Sequence, residues 1–228
     1  MKSKSFILLL GIVVVFAGLF FYLKKTTPTA NPPPTATTEN TTGRSSGFQV
    51  VPFENKVLVK SHSPVKGSEM AKVTVVEFLD PECEACAAMY PHVERITKEF
   101  QKDLRIVVRY MTYHGNSKYV ANILEGARAE NKFWEALGLL FTTQSQWADH
   151  HNPKPELIPE ILKPLGLDLK KIIADAKAGK YDQQISEDME DGKKIGVQGT
   201  PTFFVNGAML EELGPEPLRA AIQRSINP

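Results

Sequence analysis

Seven residues from Val73 to Leu79 (Val-Thr-Val-Val-Glu-Phe-Leu) run into a turn pair, Asp80-Pro81, and then into Cys83-Glu84-Ala85-Cys86. The apolar, β-branched run reads as a strand, and its content on both faces suits a central position in a sheet. The cysteines stand at the start of a helix. Beyond them Cys86, Met89, Tyr90, Val93, Ile96 and Phe100 recur at spacings of three and four, the mark of one buried helical face. That face carries Cys86 inward. It leaves Cys83 at the helix N-terminus, where unpaired N–H groups and the helix dipole favour a thiolate. Cys83 and Cys86 are the only cysteines in 228 residues. A disulfide framework needs several pairs, and a four-ligand zinc site needs two further soft ligands. A dithiol that cycles between reduced and oxidised forms fits this spacing, with Cys83 attacking and Cys86 resolving. The competing readings are a static staple and a metal site using both sulfurs. A four-residue loop constrains the unfolded chain little, and no Met or His lies between the cysteines to complete coordination.

The N-terminal part has a different character. Residues 1–5 form a short leader. Phe6 to Leu23 carries no charged residue, and at the helical rise it would span about 27 Å, close to the thickness of a bilayer's hydrocarbon core. Lys2 and Lys4 precede it, and Lys24 and Lys25 follow. The run is long for a secretory signal and ends in bulky residues rather than a small-x-small site. It therefore reads as an uncleaved transmembrane signal anchor, and the absence of a following cysteine excludes a lipoprotein. Residues 24–46 are rich in Pro and Thr and have no hydrophobic face, as expected of a tether. Residues 47–228 are one domain's length of chain. The net charge is +1 with acidic and basic residues interleaved, which argues against a nucleic-acid partner.

Along that domain, Phe48–Val51 and Val57–Lys60 read as short strands, Ser61–Gly67 as a loop and Leu104–Tyr110 as the strand completing a β-α-β unit. Helical spacing then marks a long insertion, about residues 112–195. Its stripes are Val120/Ile123/Leu124/Ala127, Phe133/Trp134/Leu137/Leu140/Phe141, Leu157/Ile161/Leu162 and Leu169/Ile172/Ile173/Ala176, followed by a polar helix from Tyr181 to Lys194. Strand character returns at Thr202–Val205. Asn206-Gly207 then gives a two-residue hairpin signal before Ala208-Met209-Leu210. Gly214-Pro215 opens a last helix with proline at its first position. The fold class is α/β.

The motif Glu77-Phe78-Leu79-Asp80-Pro81-Glu82-Cys83-x-x-Cys86, the phrase Lys132-Phe133-Trp134-Glu135 and the run Gly196-Val197-Gln198-Gly199-Thr200-Pro201-Thr202-Phe203-Phe204-Val205-Asn206-Gly207 occur in this order over residues 56–227. This arrangement resembles the DsbA-like thiol–disulfide oxidoreductases of the thioredoxin superfamily. The resemblance implies a thioredoxin fold with an inserted helical subdomain, here preceded by a single transmembrane helix. It implies catalytic roles for Cys83 as nucleophile and Cys86 as its buried partner. Pro201 matches the family's cis-proline, and Thr200 would offer backbone groups to an extended substrate. Glu77 matches a buried acid able to exchange a proton with Cys86, and Pro91 a proline inside the active-site helix. The implied protein is a dithiol oxidase of exported proteins, monomeric, held in the inner (cytoplasmic) membrane by one span. Its catalytic domain would lie in the periplasm or outside the cell, and a membrane redox partner would recycle it. No cofactor and no metal is expected. The alternatives are a reductase or isomerase kept reduced by a membrane donor, and a non-enzymatic metal-binding or chaperone module.

The chain departs from the familiar pattern between the cysteines, where it carries Glu84-Ala85, with Glu82 just before. Two carboxylates beside a thiolate oppose it by about as much as the helix terminus favours it, each roughly 0.3–1 kcal/mol. The effects nearly cancel, so the strongly oxidising poise of familiar members, which rests on a stabilised reduced form, is not assumed for this chain. His114, at the start of the insertion, reads as a surface or cap residue.

Overall fold

The computed structural model describes residues 55–149 and 151–228. The anchor, the tether and the strand expected at Phe48–Val51 lie outside the described residues. No helix among the described residues is long and apolar enough to cross a membrane.

In chain order the elements are α1 (Asn55–Leu58), β1 (Val65–Gly67), β2 (Val73–Leu79), α2 (Glu84–Glu99), β3 (Leu104–Tyr110), α3 (Ser117–Ala129), α4 (Phe133–Thr142), α5 (Gln144–Trp147), α6 (Ile158–Leu162), α7 (Leu169–Lys177), α8 (Asp182–Lys194), β4 (Thr202–Val205), β5 (Ala208–Met209) and α9 (Pro215–Ile226). Two short 3-10 turns, Pro155–Leu157 and Lys163–Leu165, flank α6. The five strands lie in the order β1-β3-β2-β4-β5. β2 runs parallel to β3 and antiparallel to β4, so it is the middle strand, and all seven of its residues are buried, Thr74 and Glu77 included.

Two expectations at the start of the domain need correction. Val57–Lys60 is not a strand: Asn55–Leu58 is one helical turn. The alternation of Val57 and Val59 imitates a strand, but the Val57 carbonyl accepts a hydrogen bond from the Arg109 guanidinium in place of a strand partner. The stretch read as a loop, Ser61–Gly67, ends in β1, which pairs antiparallel with β3. The hairpin forms as expected. Asn206 and Gly207 both have positive φ, 46° and 89°, as the tight two-residue turn requires. The Asn206 side chain also accepts the Thr74 N–H at 2.8 Å, tying the hairpin to the central strand.

α2 and α9 cover one face of the sheet, burying Met89, Val93, Ile96, Leu218, Ala221 and Ile222 against Val73, Val75, Phe203 and Val205. On the other face Phe78, Met111, Val107 and Phe204 pack with Leu58 and Val197. α8 comes close enough there that a Cβ on Gly192 would stand 2.5 Å from Met111 Sδ. Helices α3 to α7 enclose the largest apolar cluster, which reaches to Leu79, Cys83 and Cys86 at the C-terminal end of β2. The dithiol therefore lies where the sheet, the first turn of α2 and the helical layer meet.

Candidate active site

Strand β2 ends in Asp80-Pro81-Glu82, and Cys83 is the residue that caps α2. A thiol at that position faces the free N–H groups of the first helical turn. Cys83 retains 9% of its exposure and Cys86, one turn deeper, retains none. Cys83 is thus the reachable sulfur of the two, through a narrow opening rather than on an open surface. Both cysteines are free thiols. Across the site the Thr200–Pro201 peptide bond is cis, and the Cys83 Sγ–H donates to the Thr200 carbonyl at 3.2 Å, a contact between residues 117 apart in sequence. Four of the expected site residues, Cys83, Cys86, Thr200 and Pro201, are brought together here.

The two sulfurs differ sharply in chemistry. The Cys83 thiol is lowered to about 5, first by a hydrogen bond from the Cys86 thiol. Burial works against this, but the Thr200 side chain and the N–H groups of Cys86 and Ala85 add to the stabilisation. At neutral pH Cys83 is almost wholly thiolate, the species that attacks and leaves in disulfide exchange. Burial pushes the Cys86 thiol far up, and the neighbouring Cys83 and Glu77 push it further. The near cancellation expected from the neighbouring carboxylates and the helix terminus is therefore corrected. Hydrogen bonds set the balance, and the Glu82 carboxylate is turned toward the loop after β3. It accepts there from the Asn116 N–H and side-chain amide and from the Ser117 hydroxyl.

Glu77 lies on the buried central strand. Burial, then the charge of Cys83, pushes its carboxyl up to about 8. The reduced protein thus holds a proton on Glu77 that the unfolded chain releases near pH 4.5, and has lost from Cys83 a proton that the unfolded chain keeps until about pH 9. The Glu77 contribution to stability is lost as pH rises through about 8. That of Cys83 is lost as pH falls through about 5. Between those values the two slopes oppose each other. In a Glu77→Gln variant the Cys83 slope is left without its opponent at Glu77. Urea denaturation of the reduced variant is expected to show stability climbing with pH from 5.5 to 7.5 by up to about 1.4 kcal/mol per unit, with the unsubstituted protein much flatter.

Sequence reasoning missed four residues that hold the site. Asp80, wholly buried, accepts from the N–H of Glu82, Tyr113 and His114, from the Ser117 hydroxyl and from His114 Nδ1 at 2.8 Å. His114 is therefore tied to the loop that precedes Cys83, which corrects its reading as a surface or cap residue. Burial works to lower its imidazole, but the bond to Asp80 and the charges of Cys83 and Glu82 outweigh that and leave it raised. Ser117 and Gln144 complete the cage, the latter by bonds to the Pro81 and Cys83 carbonyls. Asp80 immediately before the turn proline was the one available signal. Among the described residues no group of three or more His, Cys, Asp or Glu is placed to hold a metal ion.

A protein-family description, thioredoxin, matches residues 60–224. The chain belongs to the thioredoxin family. Solved thioredoxin-like structures share its fold. BdbD from Bacillus subtilis in its oxidised form superposes with a TM-score of 0.66 at 23% identity, over 73% of this chain and 94% of that one. A thioredoxin-like oxidoreductase from Silicibacter pomeroyi gives 0.66 at 24%, over 77% and 98%. The thiol-disulfide exchange protein alpha-DsbA2 from Wolbachia pipientis gives 0.62 at 19%, over 75% and 90%. Among curated relatives, the Na(+)/H(+) antiporter NhaA of Herminiimonas arsenicoxydans is 32% identical over 146 residues, 64% of this chain and 22% of that protein. NhaA 1 of Mycobacterium sp. (strain KMS) is 29% identical over 150 residues, 63% of this chain and 23% of that protein. This thioredoxin-family chain spans about a fifth of the length of the curated relatives it matches.

Proposed function

We propose that this protein is a membrane-tethered thiol–disulfide oxidoreductase of the DsbA type that oxidises dithiols of exported proteins. The observation that carries the reading is the division of labour between the sulfurs: Cys83 ionises at about 5 beside Thr200, while Cys86 is sealed beneath it with its thiol raised. In the oxidised protein a substrate thiolate attacks Cys83 Sγ. The Cys83–Cys86 bond breaks, and Cys86 leaves with the electron pair. A sulfur expelled into so dry a site needs a proton, and in this reading its donor is Glu77, whose buried carboxyl is raised to about 8 and whose charge acts on Cys86. The substrate's second thiolate then attacks its own sulfur in the mixed disulfide and releases Cys83 as a thiolate. The substrate loses two electrons and two protons and gains an S–S bond. The Thr200-Pro201 segment, beside Cys83 and ahead of β4, offers backbone groups to an extended substrate chain.

The direction of flow follows from the same thiolate. Stabilising the reduced form makes the disulfide the better oxidant. Residues 6–23 anchor the chain in the inner membrane as a monomer, residues 24–46 tether the domain on the outer side, and a membrane partner accepts two electrons to restore the disulfide. Equilibration with glutathione is expected to give a reduction potential less negative than roughly −200 mV. A value below about −230 mV would reverse the assignment in favour of a reductase or isomerase kept reduced by a membrane donor. Metal retained through purification, with no turnover of a model dithiol, would remove the enzymatic reading altogether.

A further inference from the structure

We propose that Gln144, in the helical layer, is a positioning residue for the redox pair: its carboxamide holds the Cys83 loop in the orientation that keeps Sγ ionised. The inference rests on the thiol–disulfide reading of Cys83. Gln144 opens α5 and is buried. Its Nε2 donates to the Pro81 carbonyl at 2.9 Å and to the Cys83 carbonyl at 3.1 Å, across 63 and 61 residues of sequence. The Cys83 carbonyl also accepts the Ala87 N–H at 3.1 Å, which closes the first turn of α2.

Each peptide unit is a rigid plane. Holding the Pro81 and Cys83 carbonyls therefore fixes the Pro81–Glu82 and Cys83–Glu84 peptide planes, the second of which leads into α2. With those carbonyls drawn toward Gln144, the N–H groups of Ala85 and Cys86 are left directed at Sγ, where they stabilise the thiolate. α5 is itself well held. Trp147 is wholly buried, its Nε1 donates to the Leu140 carbonyl at 2.9 Å, and its own carbonyl accepts the Lys154 N–H at 2.8 Å. A rigid support in the helical layer thus grips the reacting loop through a single side chain. Gln144 does not touch Sγ and takes no part in bond making. Its effect is on the ionisation of Cys83.

The test compares the pH midpoint of Cys83 alkylation in the reduced full chain with that in three variants. Gln144→Leu removes the donor and is expected to raise the midpoint by about half a unit to one unit, slowing alkylation at pH 5 about two- to fivefold. Gln144→Glu keeps size and shape but has no donor hydrogen once ionised, so it should raise the midpoint at least as far, and it serves if the leucine variant does not fold. Arg109→Lys weakens the fold far from the sulfurs, at the contacts to Asp188 and Asp191, and should keep the parent midpoint while unfolding earlier. Parent midpoints in the Gln144 variants would overturn the proposal. So would an equal shift in Arg109→Lys, because a merely structural role would move both. Turnover of a model dithiol by the unsubstituted protein is read alongside. Its absence would sink the oxidoreductase reading, while the midpoints still decide the role of Gln144.

Discussion

Cys86→Ala is expected to convert the protein into a covalent trap. In the reverse step of the exchange the Cys83 thiolate attacks a substrate disulfide and one substrate thiolate leaves; without Cys86 the resulting mixed disulfide has no protein sulfur to resolve it, so adducts accumulate that reductant dissolves. Cys83→Ala is expected to abolish exchange, by more than about a thousandfold in turnover of a model dithiol, because Cys86 is buried and its thiol is held far above neutrality. Non-reducing electrophoresis of the two variants, reduced beforehand and then incubated with a disulfide-containing, unfolded substrate, separates the roles. Adducts on the Cys83→Ala protein with none on Cys86→Ala would exchange the assignments of attacking and resolving sulfur.

The largest effect on stability is expected far from the sulfurs, at Arg109. Its side chain is wholly buried in β3. It donates to Asp188 at 2.6 Å and Asp191 at 2.9 Å, both on α8, and to the Val57 carbonyl. Its guanidinium also lies 5.4 Å from the centre of the Phe78 ring. Asp188 further accepts the Tyr110 N–H and bonds His62, and Asp191 pairs with Lys60. One cation thus joins the sheet, the last helix of the insertion and the first turn of the domain. Arg109→Leu leaves Asp188 buried without its principal counter-charge and is expected to cost about 3–5 kcal/mol. For a domain of this size that lowers the melting temperature by roughly 10 °C. Arg109→Lys should recover part of the loss, since an ammonium supplies the charge but not the fork of donors. Thermal denaturation of the three proteins at one pH decides it, and a loss below about 1 kcal/mol would remove the cation from its structural role.

The β-α-β core and the main helices of the insertion were legible because each buries one stripe or one face. The apolar spacing of Val120, Ile123, Leu124 and Ala127, or of Leu218, Ala221 and Ile222, records that burial directly. Elements whose burial comes from elsewhere were not legible. β1 is three residues long with only Lys66 partly covered, and it exists because β3 offers it an edge. α1 looks like a strand until the Arg109 donor is in place. The candidate site divides in the same way. Cys83, Cys86, Thr200, Pro201 and Glu77 sit in local motifs. Asp80, His114, Ser117 and Gln144 tie the site together through contacts 33 to 63 residues apart in sequence, which no local pattern encodes. The balance at Cys83 was incomplete for a related reason: setting nearby carboxylates against the helix terminus omits the hydrogen bonds from the Cys86 thiol and from Thr200, 117 residues away, that lower it.

Alkylation of the fully reduced protein across pH 4 to 9, with each cysteine followed by peptide mapping, tests the central claim most directly. Cys83 alone should be modified, with a midpoint at about 5, and Cys86 should remain protected throughout. Equal modification of the two cysteines, or a Cys83 midpoint near the ordinary thiol value of 9, would contradict the account.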